Sequence, residues 1–101
     1  MLRLHDITFD LARISEACRR VGVVRLYLFG SILSDRFRPD SDIDLLVETA
    51  PRHPPGLLAL GGLQMDLSEA LGRTVNLTLL GGVPSSERPA VLARARMLDA
   101  A

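Results

Sequence analysis

The residues of this chain best suited to chemistry lie in its first half. Phe29-Gly30-Ser31 closes an apolar run, ten residues follow, and then comes Asp42-Ile43-Asp44. Glycine permits a left-handed backbone and lets a phosphate come close to the main chain. Ser31 adds a hydroxyl and a backbone N–H where a helix would start, a place that favours an anion. Asp42 and Asp44 stand at strand spacing, so their side chains leave one face, from α-carbons roughly 6.5 Å apart. From there two carboxylates can share one six-coordinate magnesium at about 2.1 Å, or bridge two ions about 3.5–4 Å apart. Without a cation the pair repels, by about 3 kcal/mol at ~5 Å and an effective dielectric of ~20. Together the two pieces suit a nucleoside triphosphate and its magnesium. Each alone has a plainer reading: a capped turn in one case, a solvated acidic surface in the other.

Composition narrows the field. A chain of 101 residues makes a single domain over 1–101, and 48% hydrophobic content is that of a globular protein. The formal net charge is zero, so no direct nucleic-acid binding is expected. All twelve basic residues are arginine, which leaves no lysine nucleophile and no P-loop lysine. Asp35, Asp40, Asp42, Asp44 and Glu48 crowd five of the twelve acids into residues 35–48, a cluster that solvent or a cation must neutralise. Cys18 is the single cysteine, so neither an intrachain disulfide nor a cysteine-based zinc site can form; its helical neighbours make it a core residue. No stretch approaches the ~20 apolar residues of a membrane helix, and the N-terminus lacks a signal pattern, so a cytoplasmic protein is expected.

The elements that must position these residues can be read from periodicity. Ile7, Leu11, Ile14, Cys18 and Val21 predict a helix over residues 7–21, stopped at Gly22. Residues 23–29 (VVRLYLF) read as a strand too continuously apolar for a sheet edge. Residues 31–37 predict one or two helical turns with Ser31 as N-cap. Arg38-Pro39-Asp40-Ser41 is a turn. Residues 42–48 (DIDLLVE) form a second strand, with Ile43, Leu45 and Val47 turned to the core. A proline-rich loop follows, then a helix over 57–71 with Leu57, Leu60, Leu63, Leu67 and Leu71 on one side. Gly61-Gly62 weakens its first half, so its start could lie later. Residues 74–80 read as a third strand with Val75, Leu77 and Leu79 inward, and residues 86–98 as a last helix carrying Val91, Ala95 and Leu98. The fold class is α/β: a small mixed sheet packed on helices.

Phe29-Gly30-Ser31, ten residues, and Asp42-x-Asp44 within DSDIDLLV (residues 40–47) resemble the DNA polymerase β-like nucleotidyltransferase superfamily. The likeness is nearest to its minimal nucleotidyltransferase (MNT) branch, the antitoxins encoded beside HEPN-domain toxins. The stretch FGSILSDRFRPDSDIDLLVE, residues 29–48, carries it, and it continues more weakly to the chain end. The resemblance implies a small sheet with helices on one side. It also implies that Gly30 and Ser31 hold the triphosphate of ATP and that Asp42 and Asp44 ligate two Mg2+ ions. AMP would pass to a hydroxyl of a partner, a tyrosine of the HEPN toxin in the better understood pairs. A homodimer or a complex with the toxin suits so small a domain.

One position departs from that family. Its third strand usually carries an acid within Val-Asp-Leu, and this chain has Val75-Asn76-Leu77. Asn76 falls on the polar face with Thr74 and Thr78. It can offer an oxygen, but neither charge nor basicity. Three outcomes stay open: a slow enzyme, an ATP binder without turnover, or an antitoxin that acts by occupying its partner. Arg36 and Arg38 flank the motif, where forked guanidinium groups could meet phosphate or simply balance Asp35 and Asp40. Glu48, His5 and His53 read as surface residues, and Tyr27 as packing against a helix.

Overall fold

Asp10 decides where the first helix begins. In the computed structural model, which describes residues 1–52 and 54–100, its side chain accepts a hydrogen bond from the Arg13 N–H at 3.2 Å. That caps a helix α1 over Leu11–Val21, closed by Gly22 at φ 80°. The helix expected over 7–21 is therefore divided. Its first residues form a hairpin of β1 (Leu2–Leu4) and β2 (Ile7–Phe9). His5 and Asp6 both take left-handed φ values, 50° and 63°, as a two-residue hairpin loop with right-handed strand twist demands. Ile7 and Phe9 then point inward with period two. Ile7 is buried under either periodicity, which is why helical spacing absorbed it.

β3 (Val23–Phe29) and β4 (Ile43–Thr49) pair antiparallel at the centre of a four-stranded sheet. The order is β5-β4-β3-β6. Helix α2 spans Leu57–Leu71, the bounds read from the sequence, and Gly61 and Gly62 do not delay its start. It leads to β5 (Val75–Leu79), parallel to β4 as a strand–helix–strand crossover requires. The helix expected over 86–98 is two elements: a six-residue α3 (Arg88–Ala93) and a strand β6 (Arg96–Ala100), antiparallel to β3. The reason lies in β3. An apolar strand buried on both faces needs a neighbour on each edge, and β6 fills the edge that β4 leaves open. Leu98 enters the main core, whereas Val91 and Ala95 pack on the opposite face of the sheet, so they never shared one helical stripe.

The main core lies between the sheet and the α1, α2 and hairpin layer. Ile43, Leu45 and Val47 of β4 sit in it beside Cys18, Leu63, Leu67 and Val75. Not every expected core position reaches it. Leu57 is 89% exposed, at the free end of α2, and Leu79 is 39% exposed, in an open cleft between the first half of α2 and β5. On the other face α3 covers Tyr27, Leu46 and Leu80. No polar or charged residue is buried among the described residues. None of their helices is long and apolar enough to cross a membrane.

Candidate metal and nucleotide site

β3 ends at Phe29, whose register partner across the ladder is Asp44. Gly30 then turns the chain with φ +79°. The conformation favours glycine, and a Cβ at this position would sit 2.9 Å from Asp44 Oδ2 and 3.6 Å from Asp44 Cβ, displacing that carboxylate. Residues Gly30–Leu33 form a single 3-10 turn, shorter than the helical turns expected over 31–37. Ser31 is inside that turn and is not an N-cap. Its carbonyl accepts from the Ser34 N–H and the Ser34 hydroxyl, both at 2.9 Å. A turn this short sums few peptide dipoles. What this corner offers an anion is the open main chain at Gly30 and the Ser31 hydroxyl, not a helix dipole.

The acids are aimed by their neighbours. Ile43 between them is fully buried, and its N–H donates to Thr74 O at 2.9 Å. Asp42 and Asp44 are thereby turned away from the core, Asp42 exposed and Asp44 half-buried. Parallel pairing sets Asn76 of β5 opposite Asp44. The Asn76 amide nitrogen donates to Asp42 Oδ2 at 3.1 Å and to Asp44 Oδ1 at 3.4 Å. Against two carboxylates the amide must present N–H groups, because its oxygen would face like charge. Gly30, Asp42, Asp44 and Asn76, 46 residues apart at the extremes of the sequence, thus meet at one corner of the sheet. Two carboxylates and a carboxamide suit a hard cation such as magnesium. No group of three or more His, Cys, Asp or Glu side chains forms among the described residues, so no other acid supplies what Asn76 lacks.

Arg36 and Arg38 are exposed on the connecting loop. Their backbones shape it: Arg36 N–H donates to Ser34 Oγ at 3.1 Å and Arg38 N–H to Ser41 Oγ at 2.9 Å. Neither guanidinium pairs with Asp35 or Asp40; the ion pairs among the described residues are Arg3–Asp6, Arg20–Glu16 and Arg25–Glu48. Glu48 stands at the far end of β4, held by Arg25 and by the Tyr27 hydroxyl. Tyr27 is buried against α3, and burial followed by the Glu48 charge raises its pKa. Cys18 is fully buried in the core, and burial, then Asp99, pushes its thiol up to about 11. His53 lies outside the described residues.

Sequence reasoning missed a brace. His5 Nε2 donates to Ile32 O at 2.8 Å, just past the Gly30-Ser31 turn, and its ring stacks on Phe37 at 4.8 Å. Arg73 lies 4.7 Å over the other partner of that stack, Phe37, and donates to the carbonyls of Arg38 and Ser41 at 2.9 and 3.2 Å. The loop joining the two halves of the motif is clamped by residues from the hairpin and from the start of β5. Phe37, an aromatic among polar loop residues, was the available signal. A cleft of about 380 Å³ also opens beside Phe29, walled by Glu87, Ala90, Val91 and Arg94 of the α3 region.

A family model described as nucleotidyltransferase domain matches residues 11–97, and the chain belongs to that family. Among solved structures, a protein described as a candidate minimal nucleotidyltransferase is 34% identical with a TM-score of 0.67, over 86% of this chain and 94% of its own. A chain of a toxin–antitoxin structure with AMP-PNP aligns at TM-score 0.71 and 24% identity, over 92% of this chain and 75% of its own, a likeness of fold. A structure of a tri-AMPylated Shewanella oneidensis HEPN toxin with MNT antitoxin aligns at 0.62 and 25% identity, over 90% and 70%. No curated protein matches.

Proposed function

We propose that this domain binds ATP with magnesium at the Gly30–Asp42–Asp44 corner and transfers AMP to a hydroxyl of a HEPN-domain toxin, as an antitoxin acting in the cytoplasm. The observation that supports this best is the convergence of Asp42 and Asp44, on one strand face, with the left-handed Gly30 turn, so close that a Cβ added to Gly30 would lie 2.9 Å from an Asp44 oxygen. The choice of nucleotide and partner is supported by neighbours solved as a toxin–antitoxin with AMP-PNP and as a HEPN toxin with MNT antitoxin.

In the reaction, the acceptor oxygen forms a bond to the α-phosphorus. The bond from that phosphorus to the bridging oxygen breaks, and pyrophosphate leaves with the electron pair. Bound magnesium would screen the phosphates and stabilise the charge that develops on them. Gly30 and Ser31 orient the triphosphate through main-chain approach and a hydroxyl. Asp42 and Asp44 hold the cation, and Arg36 and Arg38 stand within the same loop to meet phosphate oxygens. Asn76 cannot take the acceptor's proton, which therefore passes to solvent or to a base brought by the acceptor protein.

A second reading has its own support in Asn76: an antitoxin that holds nucleotide or toxin and acts by complex formation. Calorimetry with ATP, with and without magnesium, tests the shared premise. Metal-dependent binding lost in Asp42→Ala/Asp44→Ala is expected, and metal-independent binding would refute it. Intact mass of the toxin after incubation with ATP and this domain separates the two readings: an AMP adduct supports transfer, and its absence from a stable complex supports the second.

A further inference from the structure

We propose that this site takes one metal ion with its nucleotide, not two, and that Asn76 sets that number. The inference rests on the nucleotide reading above and concerns how the site is filled. Asp44 directs its two carboxylate oxygens to different sides. Oδ2 faces the Gly30 turn, where a Cβ would meet it at 2.9 Å. Oδ1 faces β5, where the Asn76 amide nitrogen lies at 3.4 Å. Asp42 likewise gives Oδ2 to that amide, at 3.1 Å. The corner therefore has a turn side, with Asp44 Oδ2 beside the Gly30 backbone, and a β5 side where one oxygen of each acid already accepts from the Asn76 amide.

A cation on the β5 side would meet amide hydrogens, which repel it. Turning the amide by half a rotation would present its oxygen, but at the loss of both contacts to the carboxylates, 3.1 and 3.4 Å long. The oxygen gained is neutral, so two formal charges remain where a third acid would make three, and affinity for a hard divalent cation tracks ligand charge. No other acidic, histidine or cysteine side chain joins the pair among the described residues. The turn side keeps a charged oxygen, Asp44 Oδ2, for a cation that the phosphates themselves also ligate. Asn76 thus neutralises and orients the acids on one side while leaving the other free.

The test is a count of Mn2+ by electron paramagnetic resonance on this chain, saturated with the α,β-methylene analogue of ATP, which cannot transfer AMP. The wild-type chain is expected to hold one Mn2+ per bound nucleotide, and Asn76→Ala one. Asn76→Asp is expected to hold two, the second bound roughly tenfold or more tighter than any weak second ion of the wild type, the lower end of what even outer-shell ligand partners contribute. Two ions of similar affinity in the wild type overturn the proposal without recourse to any variant, as does a folded Asn76→Asp chain that still holds one. Nucleotide uptake that is absent, or indifferent to metal, in both chains overturns instead the reading beneath it.

Discussion

Replacing Gly30 by alanine probes the site through a contact whose size can be worked out beforehand. The residue has φ +79°, a conformation that costs an L-residue about 1–2 kcal/mol. In a domain of this size each kcal/mol lowers Tm by about 4–8 °C, so backbone cost alone predicts a fall of about 4–16 °C. The added methyl would stand 2.9 Å from Asp44 Oδ2, about 0.6 Å inside the ~3.5 Å at which nonbonded atoms rest. The Asp44 carboxylate must give way by a similar amount. Metal ligation tolerates errors of only about 0.2 Å, so Mg-ATP affinity should fall by about 10–100-fold, the effect of losing a well-placed ligand orientation. Gly72→Ala is the matched control. It has φ +66° and nothing within 4 Å of its Cβ position, so it carries the backbone cost without the contact. Thermal unfolding should show comparable losses for the two variants, and calorimetry with Mg-ATP should separate them. Equal affinities in the two would refute the claim that Gly30 makes room for Asp44.

Three further outcomes follow from other contacts. Arg73→Ala should cost about 1–3 kcal/mol in thermal unfolding, since it removes two carbonyl contacts and the stack on Phe37. Arg73→Lys should recover part of that loss, because both carbonyls are met by one nitrogen, Nη1, whose place an ammonium can take, while the planar stack on Phe37 is lost. Leu98→Ala should cost about 2–5 kcal/mol and Met97→Ala under about 1 kcal/mol, because the strand buries Leu98 and leaves Met97 52% exposed; reversed costs would contradict β6. Cys18 should resist thiol reagents at pH 8 in the folded chain. Its thiol is raised from about 9 to about 11 by folding, so above pH 9 the unfolded chain binds fewer protons than the folded one and stability falls as pH rises toward 11. The fall should be smaller in Cys18→Ala, where Tyr27, also raised by folding, is left to contribute.

The sequence made the centre of the fold legible and its margins less so. β3 is a continuous apolar run, β4 alternates and α2 carries leucines at helical spacing, and the structure forms all three within a residue of the expected bounds. Ile7 and Leu98 misled for a common reason. Each is a core residue at a distance of three or four from another apolar residue, so helical spacing fits it by coincidence while the chain is extended. Ile7 follows a turn whose left-handed pair, His5 and Asp6, is not a glycine-containing signal. Leu98 belongs to a strand that exists because β3 needs a second neighbour, a requirement of tertiary pairing that no local window contains. The same distinction holds at the site. The spacing of Asp42 and Asp44 and the place of Asn76 on the polar face of β5 follow from period two alone. The brace of His5, Phe37 and Arg73 joins three elements distant in sequence, and only the assembled sheet brings them together.

Where the site lies follows from how much sheet so short a chain can cover. One face is covered over the central strands by α1, α2 and the hairpin. The other has only α3, six residues that shield Tyr27, Leu46 and Leu80. Beyond α3 the strands continue uncovered, and there the residues must be polar or engaged elsewhere: Asp42, Asp44 and Asn76 occupy that remainder, with Phe29 at its border. A wall on one side, α3 and its cleft, and open solvent on the other leave the corner unable to exclude water by itself. On the proposed reading the acceptor is a protein, and its surface supplies the missing wall as it delivers the hydroxyl. ATP without a partner should then remain largely unhydrolysed in this domain, because water reaching the corner meets neither a base at Asn76 nor an enclosure. Rapid hydrolysis of ATP by the isolated chain, measured by phosphate or pyrophosphate release, would contradict that division of the site between two proteins.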